Sequence, residues 1–205
     1  MVERQLRRRG IEDERVLAAM GTIPREDFLP AESRSRAYAD SALPIGGGQT
    51  ISQPWIVAAI CQALELGGGE TVLEIGTGSG YSTAVLAQLS ARVLSVERLP
   101  ELSAQAARAL RQLDVENVEL TVGDGSRGLP RRAPFDAIAV HAAAPAAPRT
   151  LLGQLAEGGR LVAPVTVGEA DILTLYRRRG EEFVGEEIGP CRFVPLVGEE
   201  GYAEP

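Results

Sequence analysis

Two acids and three glycines carry the clearest chemistry in the sequence. Val72-Leu73-Glu74-Ile75-Gly76-Thr77-Gly78-Ser79-Gly80-Tyr81 sets Glu74 two residues before a G-x-G-x-G run. Glycines so spaced let the backbone approach a ligand that side chains would hold off. A dinucleotide fold expects G-x-G-x-x-G, which cradles a pyrophosphate. Here the third glycine comes one residue early. Glu74 suits a cationic group such as an amino-acid ammonium. Glu97 closes an apolar run that starts at Arg92, a place from which a carboxylate can accept from both ribose hydroxyls. An acidic cradle, a close backbone and a ribose acceptor fit S-adenosylmethionine better than NAD. The plain alternative is a structural glycine turn with no ligand, and Glu97 together with the flanking strand and helix argues against it.

A second polar cluster precedes the first. Asp40 to Gln53 (DSALPIGGGQTISQ) combines Pro44, three consecutive glycines, Gln49, Thr50, Ser52 and Gln53. It reads as a functional loop. Pro54 fits a first helical position, so Ser52 and Gln53 fall at a helix start, where anions are favoured. Spacing alone favours the plainer reading of Ser52 as a helix cap. Asp124, in Gly123-Asp124-Gly125, follows a candidate strand and could bind a base amino group or form an ordinary Asp-Gly turn. His141 is the sole histidine, which excludes a histidine-rich metal site.

These residues need a frame to bring them together, and the hydropathy pattern supplies one. Thr71 to Ile75, Arg92 to Glu97, Asn117 to Val122, Phe135 to Val140 and Arg160 to Val165 read as buried strands. Helical spacing is expected over Trp55–Leu66, Tyr81–Leu89, Pro100–Leu113 and Pro148–Leu155, the last ended by Gly158-Gly159. Strands alternating with helices imply an α/β, doubly wound, mostly parallel sheet with helices on both faces. Asp171 to Arg178 and Glu182 to Leu196, around Gly180, predict a C-terminal antiparallel hairpin. Short helices are expected over Val2–Arg9 and Asp13–Met20, the latter capped by Asp13. Further short turns around Pro24 and Pro30–Tyr38 complete a helical extension. One domain is expected: residues 1–53 as extension and active-site loop, 54–170 as cofactor-binding core, 171–198 as hairpin. Gly198 to Pro205 reads as a loose polar end.

Composition narrows the partners. The 205 residues carry a net charge of −7, so no overall basic surface points to nucleic acid. The charged N-terminus lacks the apolar region of a signal peptide, and no apolar run approaches membrane-spanning length. Cys61 and Cys191 show no metal spacing and read as reduced thiols. The expectation is a cytoplasmic monomer with no metal, membrane or nucleic-acid partner.

The chain resembles the protein-L-isoaspartate(D-aspartate) O-methyltransferase family almost end to end. The glycine motif alone would indicate only a broad methyltransferase class. Gln49-Thr50-Ile51-Ser52-Gln53-Pro54 is much narrower, and Pro24-Arg25-Glu26, Ser95-Val96-Glu97-Arg98, Gly123-Asp124-Gly125, Ala133-Pro134-Phe135-Asp136 and Arg192-Phe193-Val194-Pro195-Leu196 accompany it. The resemblance implies a seven-stranded Rossmann-like sheet. It also implies methyl transfer from S-adenosyl-L-methionine to the α-carboxylate of L-isoaspartyl residues and the side-chain carboxylate of D-aspartyl residues in damaged proteins. The ester then closes to a succinimide, whose hydrolysis returns part of the chain to normal aspartate. By the same resemblance Ser52 is the active-site serine, with Thr50 and Gln53 beside it. Pro44, Ile45, Arg192 and Val194 wall the peptide cleft. Glu74, Gly76, Thr77, Gly78, Ser79, Glu97, Asp124 and Gly125 surround the cofactor. One departure is His141, where the family commonly has threonine; a catalytic base there is the minority reading. Competing assignments are a methyltransferase for a small molecule or RNA, and a cofactor-binding module without catalysis.

Overall fold

A computed structural model describes residues 1–204. A seven-stranded sheet runs in the order β5-β4-β3-β6-β7-β8-β9. Its members are β3 (Thr71–Ile75), β4 (Arg92–Glu97), β5 (Val118–Val122), β6 (Phe135–Val140), β7 (Leu155–Val167), β8 (Ala170–Arg179) and β9 (Glu182–Cys191). β5, β4, β3, β6 and β7 are parallel, and β8 and β9 close one edge as antiparallel strands. β1 (Leu43–Gly46) and β2 (Gln49–Ile51) form a separate two-stranded hairpin. The helices are α1 (Glu14–Thr22), α2 (Pro54–Leu64), α3 (Tyr81–Leu89), α4 (Pro100–Gln112) and α5 (Arg149–Leu152).

Side chains of the central strands alternate between two buried clusters, as a pleated strand requires. Val72, Val93, Ala137, Ala139 and Val162 face a core shared with α1, α2, α3 and α4. Leu73, Ile75, Leu94, Val96, Ile138 and Val140 face the opposite core, which α5 covers. Residues before the sheet belong to the first core: Leu6, Ile11, Val16, Leu17, Met20 and Phe28 are all buried in it. Asp13 caps α1 as expected, its carboxylate accepting from the amides of Arg15 and Val16.

The chain moves from β3 outward through β4 to β5, then returns to place β6 on the other side of β3. Strand order therefore reverses beside β3, and ligands of open α/β sheets bind at that point, outside the strands' carboxyl ends. Gly76 follows β3 and His141 follows β6, so both stand at this crevice.

Four expectations need correction. Asp40–Gln53 is not a plain loop: Leu43 pairs with Ile51 and Pro44 with Thr50, with Gly47 and Gly48 at left-handed φ of 57° and 70° making the turn. The helix expected to Leu155 stops at Leu152, because the chain turns at Gly153 and Gln154 and Leu155 already opens β7. Gly158 and Gly159 lie within β7, not at a helix end. Residues 198–202 are docked, not loose: Val197 bridges Tyr202, and the amide of Glu199 donates to Asp124 Oδ2 at 2.8 Å, while Pro205 of that segment lies outside the described residues. No tertiary pairing of this kind is visible in a polar sequence.

Candidate active site

The glycine turn between β3 and α3 holds three left-handed residues, Gly76, Gly78 and Gly80. At Gly76 (φ 92°) a Cβ would press against the Cβ of His141 at 3.4 Å. At Gly80 (φ 90°) it would meet the Cβ of Ala106 on α4 at 3.0 Å. The turn therefore lies close to the end of β6 and to the middle of α4, and at Gly80 both the left-handed φ and the close approach call for glycine.

Glu97 ties this turn to the end of β4. Its Oε2 accepts from the amide of Gly78 and its Oε1 from the amide of Leu99, each at 2.9 Å. A carboxylate oxygen has two lone pairs, so each retains one for a ribose hydroxyl. Thr77 and Ser95 share a hydroxyl contact of 2.5 Å beneath the turn. Gly76, Thr77, Gly78, Ser79, Glu97 and Gly125 all line one cleft of about 720 Å³. The glycine cradle and the free lone pairs of Glu97 fit an adenosyl cofactor.

β2, through Gln49, Thr50 and Ile51, and Ser52 just after it line this cleft. Gly47, at the hairpin tip, rests on Leu99 at the start of α4. A second cleft, of about 750 Å³, is lined by Gln53, Trp55, Cys191, Arg192 and Val194 among others. Thr50, Ser52, His141 and Val194 line both clefts and form the wall between them. The hydroxyl-rich segment and the glycine turn are thus on the same side of the sheet, as the proposed chemistry demands.

Ser52 does not cap α2. The cap position falls to Gln53, whose side chain makes no capping bond, so first-turn amides remain available to an anion. The backbone carbonyl of Ser52 accepts from Arg25 Nη2 at 2.9 Å. Arg25 is fully buried, also donates from Nε to the carbonyl of Ala37 at 2.8 Å, and stacks 4.9 Å from the Tyr81 ring centroid. Burial pulls its pKa down to about 10, which leaves the guanidinium charged at neutral pH. Sequence reasoning gave Arg25 no role. Its only signal was its place in Pro-Arg-Glu, because its partners lie 12 and 27 residues away.

The segment after β9 completes both walls. Val194, Pro195, Leu196 and Val197 line the cofactor cleft. The carbonyl of Val194 accepts from the Ala143 amide, and the Leu196 amide donates to the Ala143 carbonyl, each at 2.8 Å. Cys191 lines the second cleft, and burial pushes its thiol up to about 11.

Four expected site residues stand elsewhere. Glu74 does not line the cofactor cleft. Strand alternation puts it on the face of Val72, beneath α3, where it is fully buried. There its Oε2 accepts from the hydroxyls of Thr83 and Ser95, each at 2.6 Å. Its Oε1 lies 3.3 Å from His141 Nε2. Pro44 and Ile45 line neither cleft. Ile45 is buried, its Cδ1 facing the glycine turn at Gly78, and Pro44 on the opposite face of the hairpin is exposed. Asp124 lies beside the cleft without lining it. Its Oδ1 accepts from the amide and hydroxyl of Ser126, and its Oδ2 from the Glu199 amide.

Comparison with known proteins places this geometry. A sequence profile described as protein-L-isoaspartate(D-aspartate) O-methyltransferase matches residues 1–201. The chain is 52% identical over 205 residues to protein-L-isoaspartate O-methyltransferase 1 of Rhodopseudomonas palustris (strain HaA2), covering 99% of this chain and 84% of that one. It is 52% identical over 203 residues to the protein-L-isoaspartate O-methyltransferase of Methanoculleus marisnigri, covering 98% and 92%. A solved protein-L-isoaspartate O-methyltransferase superposes with a TM-score of 0.87 at 32% identity, covering 98% of this chain and 67% of that one. A Plasmodium falciparum structure described as a protein-L-isoaspartate O-methyltransferase with S-adenosyl-L-homocysteine shares the fold, at TM-score 0.81 and 24% identity, over 93% of this chain and 94% of that one. The chain belongs to the protein-L-isoaspartate(D-aspartate) O-methyltransferase family.

Proposed function

We propose that the wall of Thr50, Ser52, His141 and Val194 is where a methyl group passes from S-adenosyl-L-methionine to the misplaced carboxylate of an isoaspartyl residue. The observation that carries this reading is the meeting of two clefts at those four residues, one with a glycine cradle and a ribose acceptor, the other beside a helix start. When bound, the cofactor supplies a methyl group on a sulfonium. The rest falls to this chain. The glycine turn and Glu97 seat the donor, while Thr77 and Ser79 line its cleft. Ser52 and the first amides of α2 orient the acceptor carboxylate, and Gln53, Arg192 and Val194 flank the peptide.

The acceptor is already ionised at neutral pH, so no strong base is needed. Alignment of oxygen, methyl carbon and sulfur supplies most of the rate. Ser52 acts as an orienting donor, not as a nucleophile. The acceptor oxygen forms the new bond as the carbon–sulfur bond breaks, and the electron pair leaves on sulfur. The methyl ester then closes to a succinimide by attack of the following backbone nitrogen, expelling methanol.

We read the chain as one domain acting alone on peptides and proteins in the cytoplasm. Among the described residues no helix is long and apolar enough to cross a membrane, and no cluster of three or more potential ligands is set to hold a metal. The net charge of −7 disfavours RNA as acceptor. Incubation with labelled S-adenosylmethionine and an isoaspartyl peptide, beside its aspartyl twin, tests the reading. Base-labile label should enter only the isoaspartyl peptide. Equal labelling of both peptides, or of neither, would overturn it.

A further inference from the structure

The loop Val197–Tyr202 is closed on itself. The Gly198 amide donates to the Tyr202 carbonyl at 3.0 Å, and the Tyr202 amide to the Leu196 carbonyl at 2.7 Å. From that closed shape the loop reaches three places. The Glu199 amide donates to Asp124 Oδ2 at 2.8 Å, and the Glu200 amide to Ser126 Oγ at 3.0 Å. The Tyr202 hydroxyl meets Thr166 Oγ1 at 2.9 Å. An exposed ion pair, Arg127 with Glu199 at 2.8 Å, adds little. Val197, at the root of the loop, lines the cofactor cleft beside Gly125.

Asp124 is the post to which this loop is fastened. Burial alone would raise its carboxyl, but the Glu199 amide and the hydroxyl and amide of Ser126 outweigh that and bring it below the ordinary range. With two bonds on Oδ1 and one on Oδ2, the carboxylate keeps one lone pair. Gly125, next in sequence, has no room for a side chain: a Cβ there would lie 2.6 Å from Ile75 Cγ2. Gly198 is equally constrained, because a Cβ would collide with the Asp124 carboxylate. The loop and the Asp124–Ser126 turn are therefore fitted to each other closely. Both lie at the β5 side of Glu97, where Gly125 lines the cleft and Asp124 is the residue expected to meet a base amino group.

We propose that the Val197–Tyr202 loop is a positioning element of the cofactor site, which fixes Asp124 and Gly125 through the Glu199 amide so that they hold the base of the adenosyl group. The proposal rests on the cofactor assignment made above. It also gives Asp124 a part that does not require its carboxylate to face the cleft in full.

Two variants test it by calorimetry with S-adenosylhomocysteine and with adenosine, which carries the base end alone. Gly198→Ala drives the loop off Asp124, and a chain ending at Val197 removes the loop. Both should weaken both ligands by the same factor, about tenfold or more for a lost hydrogen bond to a charged group. The KM for an isoaspartyl peptide at saturating cofactor should stay within about twofold. Arg127→Ala, which removes only the exposed ion pair, should bind as the parent does. In the parent, S-adenosylhomocysteine should slow hydrogen exchange at the Glu199 amide, a measurement that needs no variant to fold. Undiminished binding by the shortened chain, weakening of S-adenosylhomocysteine but not adenosine, or unchanged exchange at Glu199 would each overturn the proposal. Failure of the parent itself to bind S-adenosylhomocysteine would instead overturn the cofactor assignment.

Discussion

Replacing Arg25 should damage catalysis more than cofactor binding. Arg25 joins the Ala37 carbonyl, the Ser52 carbonyl and the face of Tyr81, the first residue of α3. Arg25→Met keeps much of the volume but leaves two buried carbonyls without donors, at about 1–3 kcal/mol each. The lost cation–π contact adds about 1–2 kcal/mol for a desolvated pair. Relief from burying a charge offsets several kcal/mol of this, since a buried ion is costly to desolvate. The net expectation is a loss of about 2–4 kcal/mol of unfolding free energy, within the range of severe single substitutions. In molecules that remain folded, Ser52 loses the anchor on its backbone. A displacement of about 1 Å at such a residue costs on the order of 100-fold in rate. Arg25→Lys should fall between, because an ammonium lacks the planar fork that serves two carbonyls at once. Urea unfolding gives the stability, and labelled methyl transfer to an isoaspartyl peptide, corrected for folded fraction, gives kcat/KM. S-adenosylhomocysteine affinity should stay within about threefold, since the cradle of Gly76 to Gly80 is untouched. A methionine variant that unfolds more easily yet retains parental kcat/KM when folded would refute the link to Ser52 and reduce Arg25 to a core-filling role.

Other outcomes follow from the same geometry. Ser52→Ala should lower methyl transfer by about 10–100-fold, the worth of one hydrogen bond to a charged acceptor, and leave S-adenosylhomocysteine binding near parental; trapping a covalent methyl- or acyl-serine would contradict the orienting role. Glu97→Ala should weaken S-adenosylhomocysteine by more than about tenfold, because it removes the ribose acceptor and frees the Gly78 and Leu99 amides. Burial raises both cysteine thiols, Cys191 from 9.0 to about 11. The folded state therefore holds these protons more tightly than the unfolded chain, and stability from this source is complete below pH 9 and declines as pH rises toward 11. Alkylation of native Cys191 should rise with pH to a midpoint near 11 and slow when an isoaspartyl peptide fills the cleft that Cys191 lines; a midpoint near pH 9 would show an ordinary thiol.

The cofactor half of the molecule was legible because its signals are local. The bounds of β3, α3, β4 and β6 follow hydropathy, and the glycine turn falls where its sequence places it. Three features were not legible, each for its own reason. The β1–β2 pairing depends on two short strands whose hydroxyls mask their alternation. The direction of Glu74 was present in the strand period, which groups it with Val72, but sequence alone does not say which face of a strand looks into a cleft. The docking of the chain end rests on backbone amides meeting Asp124 and Ser126 from about 75 residues away, a contact with no compositional trace. The acceptor side was visible chiefly through family likeness. Pro44 and Ile45 line neither cleft, and Arg25 stands behind Ser52.

His141 is the only imidazole in the chain, and it stands in the wall common to both clefts. A nitrogen-15 spectrum of this protein therefore holds a single imidazole, which needs no mutation to identify. Its Nε2 lies 3.3 Å from Glu74 Oε1 while the residue lines both clefts, so its nitrogen frequencies should shift when either cleft fills. The molecule carries its own spectroscopic probe at the boundary between the two clefts.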